Sequence, residues 1–167
     1  IRVTRLPFGQ VLQAVCLGHT GYVRSVTVLR PPMAHLAVSA GGDGTVRLWR
    51  FEDGTLLHTL TVMSAPARPA TDSASSWKAM DCVLGLSESP VTSGLLAAII
   101  TNHAAVYTFQ VKDDVVTSGP IIPVRAQPLS LRFEADGTPV VVTTEPGFQC
   151  VTLDPDADAT AAPSWCG

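Results

Sequence analysis

The chain is predicted to be an all-β protein made of short strands joined by turns. Runs rich in β-branched residues, such as YVRSVTVL, HLAVSA and TVRLWRF, recur roughly every ten residues. The 13 glycines and 13 prolines fall mostly between these runs. The one segment that could be forced into a helix, GLLAAIITNHAAV, is broken by Thr-Asn-His and is interpreted as two strands.

The predicted strands group in fours, with a period of about 40–45 residues that is typical of β-propeller blades. Residues 17–62 form one predicted blade, with strands near 22–29, 35–40, 45–51 and 55–61. Further boundaries are predicted as follows: the last two strands of a preceding blade at 1–16, a flexible loop at 63–76, a degenerate blade at 77–122, a partial blade at 126–153 and a tail at 154–167. Because blades pack face to face, both faces of each sheet are expected to be largely buried.

Composition excludes several classes of protein. The chain has 167 residues, is 46% hydrophobic and only 15% charged, which argues against disorder. Its net charge is −3 and its only lysines are Lys78 and Lys112, so a basic patch that would grip nucleic acid alone is not expected. No apolar run approaches the roughly 20 residues of a membrane span.

Four cysteines, at positions 16, 82, 150 and 166, contain no C-x-x-C pair. Such scattered cysteines are interpreted as small buried hydrophobic residues in a reducing compartment. The sequence begins with IRVTRL inside a strand pattern and without methionine, so the chain is expected to be an internal piece of a longer protein.

The stretches LGHTGYVRSVTVL and LAVSAGGDGTVRLW resemble a WD40 repeat. A Gly-His pair opens the unit, an Asp-Gly-Thr turn follows the second strand, and Leu48-Trp49 closes the third strand. Arg50 stands where the family usually has aspartate. This resemblance implies a β-propeller of four-stranded blades, here a fragment of about three. The assignment of the second and third units as blades depends only on the regular spacing of their predicted strands.

The residues His19, Ser39 and Asp43 also suggest a Ser-His-Asp hydrolase triad. No glycine elbow frames Ser39, and Ser39 lies within a strand instead of on an exposed turn. The WD40 resemblance implies instead that these three residues and Trp49 form a structural tetrad. Such a tetrad would satisfy polar groups inside a low-dielectric core.

Other candidate sites have weak support. The remaining histidines, His35, His58 and His103, lack metal-ligand spacing, and no metal or cofactor is predicted. The aspartate pairs and runs are interpreted as solvated turns, because no glutamate closes a calcium loop: Asp113, Asp114, Asp154, Asp156 and Asp158. A binding surface could also include the three arginines Arg24, Arg47 and Arg50.

A closer resemblance is carried by IRVTRL, CLGHTGYV, SAGGDGTVRLW and GTLLH, which occur in the order and spacing of one WD40 family. That family comprises the non-catalytic WD-repeat subunits of tRNA (guanine-N7)-methyltransferase. The resemblance implies a non-enzymatic scaffold without a cofactor of its own. It would form a heterodimer with the catalytic methyltransferase, reach tRNA through that complex, and work in the nucleus with no membrane attachment.

In the same family, the arginine of the first quoted strand pairs with an acidic residue of the methyltransferase. Here that arginine is Arg2, and the alternative interpretation is a solvated arginine on an exposed strand. Two rival functions stay open at this stage. One is a generic WD40 adaptor, such as a substrate receptor of a ubiquitin ligase, and the other is the hydrolase described above.

Overall fold

The structure, a computed structural model, describes residues 1–7, 9, 11–62 and 82–144, together with the backbone of 148–150. Across these residues all regular structure is β, which confirms the predicted fold class. This part of the chain therefore contains no helix long and apolar enough to cross a membrane. The predicted loop at 63–76, the tail at 154–167 and residues 77–81 of the predicted second unit lie outside the described residues.

Four antiparallel sheets follow one another along the chain. Sheet I has two strands, β1 (Arg2–Thr4) and β2 (Leu12–Val15). Sheet II has four strands in chain order: β3 (Val23–Val28), β4 (Leu36–Gly41), β5 (Thr45–Arg50) and β6 (Thr55–Thr61). The strands of sheet II coincide closely with the four predicted within 17–62.

The remaining two sheets repeat this up-and-down order. Sheet III comprises β7 (Val83–Glu88), β8 (Leu95–Ile100), β9 (Ala105–Lys112) and β10 (Val115–Pro123). Sheet IV comprises β11 (Pro128–Phe133), β12 (Pro139–Thr143) and β13 (Phe148–Cys150). The first strands β3, β7 and β11 lie side by side, and the last strands β6 and β10 are also neighbours. This stacking of meander sheets is the blade arrangement that the strand grouping predicts.

A continuous hydrophobic core lies between sheets II and III. Leu36, Val38 and Leu48 of sheet II pack against Leu96 and Phe109 of sheet III, and all five side chains are essentially inaccessible to solvent. A second, smaller cluster joins sheet III to sheet IV. Burial of these faces removes apolar surface from water and supplies the main favourable free energy of folding.

The expectation that both faces of each sheet are largely buried holds best for the second strands of sheets II and III. Every residue of β4 is buried, and so is nearly every residue of β8. The first strand of sheet II, β3, differs: Val26 and Val28 are 46% and 55% exposed. Position at a sheet edge does not by itself explain this exposure, because β7 is also an edge strand and has no exposed residue.

A buried carboxylate connects sheets II and III at the end opposite the start of β3. Both carboxylate oxygens of Glu88 accept hydrogen bonds from the backbone N–H of Arg30, at 2.9 and 3.2 Å, and one also accepts from Gly94 N–H at 3.1 Å. Glu88 is only 8% exposed. Its hydrogen bonds join the segment that follows β3 to the segment that precedes β8, and so link sheet II to sheet III.

We expect Glu88→Ala to lower the free energy of unfolding by about 1–3 kcal/mol, because the backbone N–H groups of Arg30 and Gly94 lose their acceptor. Urea denaturation followed by tryptophan fluorescence measures the change. Glu134→Ala is the matched control, since Glu134 forms an exposed ion pair with Arg132 at 2.7 Å that is expected to contribute well under 1 kcal/mol. Equal effects of the two substitutions would contradict the role of Glu88.

Candidate functional site

The residues of the predicted polar cluster are positioned mainly by β4, β5 and the turn between them. Ser39 lies within β4, and Asp43 lies in the Gly41–Gly44 turn, where Gly44 adopts a φ of 68° that favours glycine. Trp49 lies near the end of β5, opposite Ala37 and therefore diagonal to Ser39. His19 reaches this face of the sheet from the segment that joins β2 to β3.

The structure brings His19, Ser39, Asp43 and Trp49, the residues of the predicted tetrad, into one hydrogen-bonded chain. Trp49 Nε1 lies 2.7 Å from Ser39 Oγ, and His19 Nε2 lies 2.7 Å from the same oxygen. His19 Nδ1 lies 2.8 Å from Asp43 Oδ2. Ser39 and Trp49 are fully buried, and the side chains of His19 and Asp43 are each 5% exposed.

The direction of each hydrogen bond follows from the chemistry of the groups. An ionised carboxylate only accepts, so the proton on His19 lies at Nδ1 and is donated to Asp43. His19 Nε2 then accepts the Ser39 hydroxyl proton, and Ser39 Oγ accepts from the Trp49 N–H. All three bonds therefore point toward Asp43. Every buried side-chain nitrogen and oxygen in the described part of the chain has a partner.

Asp43 stays ionised because several donors surround it. Burial, the largest single effect, raises its pKa, but hydrogen bonds from Thr45 and His19 and from the backbone of Thr20 and Thr45 together lower the pKa to about 2. The shortest of the Thr45 bonds, from Oγ1 to Asp43 Oδ1, is 2.8 Å. Sequence reasoning did not identify Thr20 and Thr45 as members of this network, although the Asp-Gly-Thr turn contained that signal.

The three residues of the hydrolase hypothesis have the spacing of a catalytic triad but not its chemistry. A nucleophilic serine needs an accessible oxygen and a free lone pair aimed at a substrate carbonyl. Ser39 has no exposed surface, and its oxygen already accepts the Trp49 N–H. The arrangement therefore supports a role in holding the turn, β4 and β5 together.

Arg2, the predicted partner-binding residue, lies apart from this cluster on β1. Its side chain is exposed, and it is paired with Val15 of the antiparallel strand β2. The backbone N–H of Cys16 donates to Ile1 O at 2.9 Å, and Gln13 Nε2 donates to Glu52 O of sheet II at 3.3 Å. Arg2 is thus an exposed cation on a two-stranded sheet whose second strand is tied to sheet II.

The other predicted arginines occupy three different settings. Arg24 is exposed on β3, whereas the Arg47 side chain is only 12% exposed and lies 3.8 Å from Asp43. Arg50 lies 3.8 Å from Asp53 in its own sheet and 3.9 Å from Asp114 in sheet III. The three arginines therefore do not form one surface.

The remaining candidates are dispersed. His35 is exposed in the β3–β4 turn, His58 accepts a hydrogen bond from Val116 N–H at 3.4 Å, and His103 lies 2.7 Å from the Tyr107 hydroxyl. Within the described ranges, no group of His, Cys, Asp and Glu side chains is arranged to hold a metal ion. Cys16 and Cys82 are buried free thiols, and burial raises the pKa of Cys16.

Comparisons with known proteins place the chain among the WD40 proteins. A family model described as the tRNA methyltransferase TRM82 WD40 domain matches residues 1–156. The chain is 41% identical over 64 residues to the tRNA (guanine-N(7)-)-methyltransferase non-catalytic subunit wdr4 of Xenopus laevis, covering 38% of this chain and 16% of that protein. It is 33% identical over 91 residues to the WDR4 subunit of Homo sapiens, and the match covers 50% of this chain and 22% of that protein.

A similar fold occurs in the crystal structure of the Mitotic Checkpoint Complex. The match has a TM-score of 0.57 and 17% identity, and it covers 75% of this chain and 34% of that chain. It supports the fold alone. The chain spans less than a quarter of the length of the two curated relatives that it matches.

We expect His19→Ala to lower the free energy of unfolding by about 2–4 kcal/mol, because Asp43 and Ser39 both lose a buried partner. Urea denaturation measures the loss, with His35→Ala in the exposed turn as control. Unchanged stability, or labelling of Ser39 in the native protein by a fluorophosphonate probe, would contradict the structural role.

The low pKa of Asp43 makes stability depend on pH in a defined direction. The folded-state pKa of about 2 lies below the ordinary value of 3.8, so the stabilisation is present above about pH 4 and is lost as pH falls through 3.8 toward 2. We expect a contribution of about 1–2 kcal/mol, allowing for screening by solvent.

Urea midpoints measured between pH 5 and about pH 2.5 test this prediction by linkage. Asp43→Asn should be less stable than wild type at pH 5, and the difference should shrink as the pH falls. Glu52→Gln, at an exposed turn, is the control, and its urea midpoint should vary with pH as that of the wild type does. A constant difference between Asp43→Asn and wild type at every pH would show that the carboxylate charge is not responsible.

Proposed function

Because the chain belongs to the family of tRNA methyltransferase TRM82 WD40 domains, we propose that it serves as a non-catalytic scaffold subunit of the tRNA (guanine-N7)-methyltransferase. It binds the catalytic subunit as a heterodimer and stabilises it. The catalytic subunit carries the methyl-donor site and forms N7-methylguanosine in tRNA. The observation that carries the proposal is the family match over residues 1–156.

The curated relatives agree with a non-enzymatic role, since those in Xenopus laevis and Homo sapiens are both named non-catalytic subunits. The buried tetrad is consistent with it, because Ser39 is inaccessible to any substrate. The proposal includes a nuclear location, as the family resemblance implies.

Arg2 is the proposed contact with the catalytic subunit. An exposed guanidinium on a paired strand presents a planar fork of donors that matches a carboxylate. Because β1 is held in register by β2, the position of Arg2 is set before the partner arrives. Less conformational entropy is then lost on binding, which favours affinity.

We expect Arg2→Leu to weaken co-purification with the catalytic subunit by at least about tenfold, because breaking an interfacial charge pair leaves the partner's carboxylate desolvated and costs about 2–5 kcal/mol. Pull-down from co-expressing cells measures the loss. The matched control is Arg5→Leu, which removes another exposed arginine of the same segment.

Both variants should melt at the wild-type temperature, since neither arginine is buried. Undiminished pull-down of Arg2→Leu would remove Arg2 from the interface. If wild-type protein does not co-purify with the methyltransferase at all, the generic adaptor function is favoured instead.

A further inference from the structure

The turn between β5 and β6, residues 51–54, lies against the second strand of sheet I. Gly54 in this turn has a φ of 78°. A Cβ atom built on Gly54 would lie 2.6 Å from Val15 O of β2 and 3.0 Å from the carbonyl carbon of Val15. These are backbone atoms, which cannot rotate away as the end of a flexible side chain can. Glycine is therefore the residue that lets the turn approach β2 this closely.

A hydrogen bond joins the same turn to the same strand. The side chain of Gln13, two residues before Val15, donates from Nε2 to Glu52 O at 3.3 Å. The turn thus contacts β2 twice, once through the close approach of two backbones and once through a side-chain amide. Together these contacts hold β2 against sheet II at one place.

The turn has a defined shape and is connected to the next sheet. Gly54 N–H donates to Arg50 O at 3.0 Å, and Thr55 N–H donates to Asp53 Oδ1 at 2.9 Å. The guanidinium of Arg50 lies 3.8 Å from Asp53 and 3.9 Å from Asp114 of sheet III. Exposed ion pairs of this kind contribute little free energy, so the backbone hydrogen bonds are what fix the turn.

The position of sheet I depends on such local contacts. Its strands have only three and four residues. Neither of the two hydrophobic clusters in the described part of the chain includes a residue of sheet I. In β1, β2 and the residue that follows β2, only Ala14 and Cys16 are buried. Because two short strands gain little stability from each other alone, we expect the turn to set where this sheet lies.

Arg2 is paired with the residue of β2 that the turn contacts. Arg2 of β1 lies opposite Val15, and the N–H of Cys16 donates to Ile1 O at 2.9 Å. The backbone of Gly54 therefore contacts Val15, and Val15 in turn pairs with Arg2. A shift of β2 away from the turn would move the backbone of Arg2 with it.

We propose that the β5–β6 turn positions Arg2 for its contact with the catalytic subunit, and that Gly54 and Gln13 are the positioning residues. They act through β2 and do not touch the partner. The charge pair that Arg2 forms depends on the geometry of its planar guanidinium. A guanidinium placed in advance loses less conformational freedom on binding. The role of Arg2 as the contact rests on the proposed function above.

The affinity of the purified protein for the purified methyltransferase, measured by biolayer interferometry, tests the positioning role. We expect Gly54→Ala to weaken binding by about threefold to tenfold, because the added Cβ displaces Val15. Gly54→Asn should weaken it equally, since asparagine tolerates a positive φ but keeps the Cβ. The matched control is Gly137→Ala: Gly137 has a φ of 88°, but its Cβ would meet the movable side chain of Val91 at 3.1 Å.

A double-mutant cycle shows whether Gly54 acts through Arg2. In an Arg2→Leu protein, Gly54→Ala should change the affinity by less than about twofold. Gln13→Leu should follow the same pattern with a smaller loss, and it keeps the test available if Gly54→Ala does not fold, because the Gln13 side chain is exposed. Hydrogen exchange of the free protein is the second measurement. Amides of residues 2–4 and 12–16 should exchange faster in Gly54→Ala, while those of β8 keep wild-type protection.

Equal fold-losses from Gly54→Ala with and without Arg2 would overturn the proposal. So would wild-type affinity in Gly54→Ala, or an equal loss in Gly137→Ala, because the effect would then be general. Wild-type exchange of sheet I in Gly54→Ala would also contradict it. If the wild-type protein does not bind the methyltransferase, the proposed function fails, and the exchange measurement alone decides whether the turn holds sheet I.

Discussion

The hydroxyl of Ser39 is the group on which the geometry of sheet II depends. It lies in a fully buried strand and bonds Trp49 of the next strand and His19 of the preceding segment at 2.7 Å each. A buried hydroxyl without partners is costly, so the loss of either neighbour lowers the free energy of unfolding. Through His19, the same contact fixes the segment that leads to Tyr22 and β3.

The tetrad also shows why distances alone do not identify an active site. Asp43, His19 and Ser39 have the spacing of a hydrolase triad, yet the chain of donors continues to the Trp49 N–H and contains no position for a substrate. The same polarisation that would activate a nucleophile here stabilises a turn. Function in this protein is therefore expected on its exposed groups, such as the proposed contact Arg2.

The sequence predicted the all-β class, the strands of sheet II and the membership of the tetrad, because these features are encoded in local spacing and in one recognisable motif. It could not predict the Glu88 bridge, since Glu88 accepts from Arg30, 58 residues away in the chain. The packing of the Tyr22 ring against Gly42, 20 residues further along the chain, could not be predicted for the same reason. Strand alternation likewise did not distinguish the exposed β3 from the buried β4, because that difference depends on which strands lie beside each of them.

The proposed function is that this protein assists methyl transfer to tRNA without performing it. Transfer of labelled methyl groups from S-adenosylmethionine to unmodified tRNA, measured with each subunit alone and with both, tests the claim most directly. We expect no transfer by this protein alone and clear stimulation when it is added to the catalytic subunit, with the label at N7 of guanine. Transfer by this protein alone, or no stimulation of the catalytic subunit, would contradict the claim.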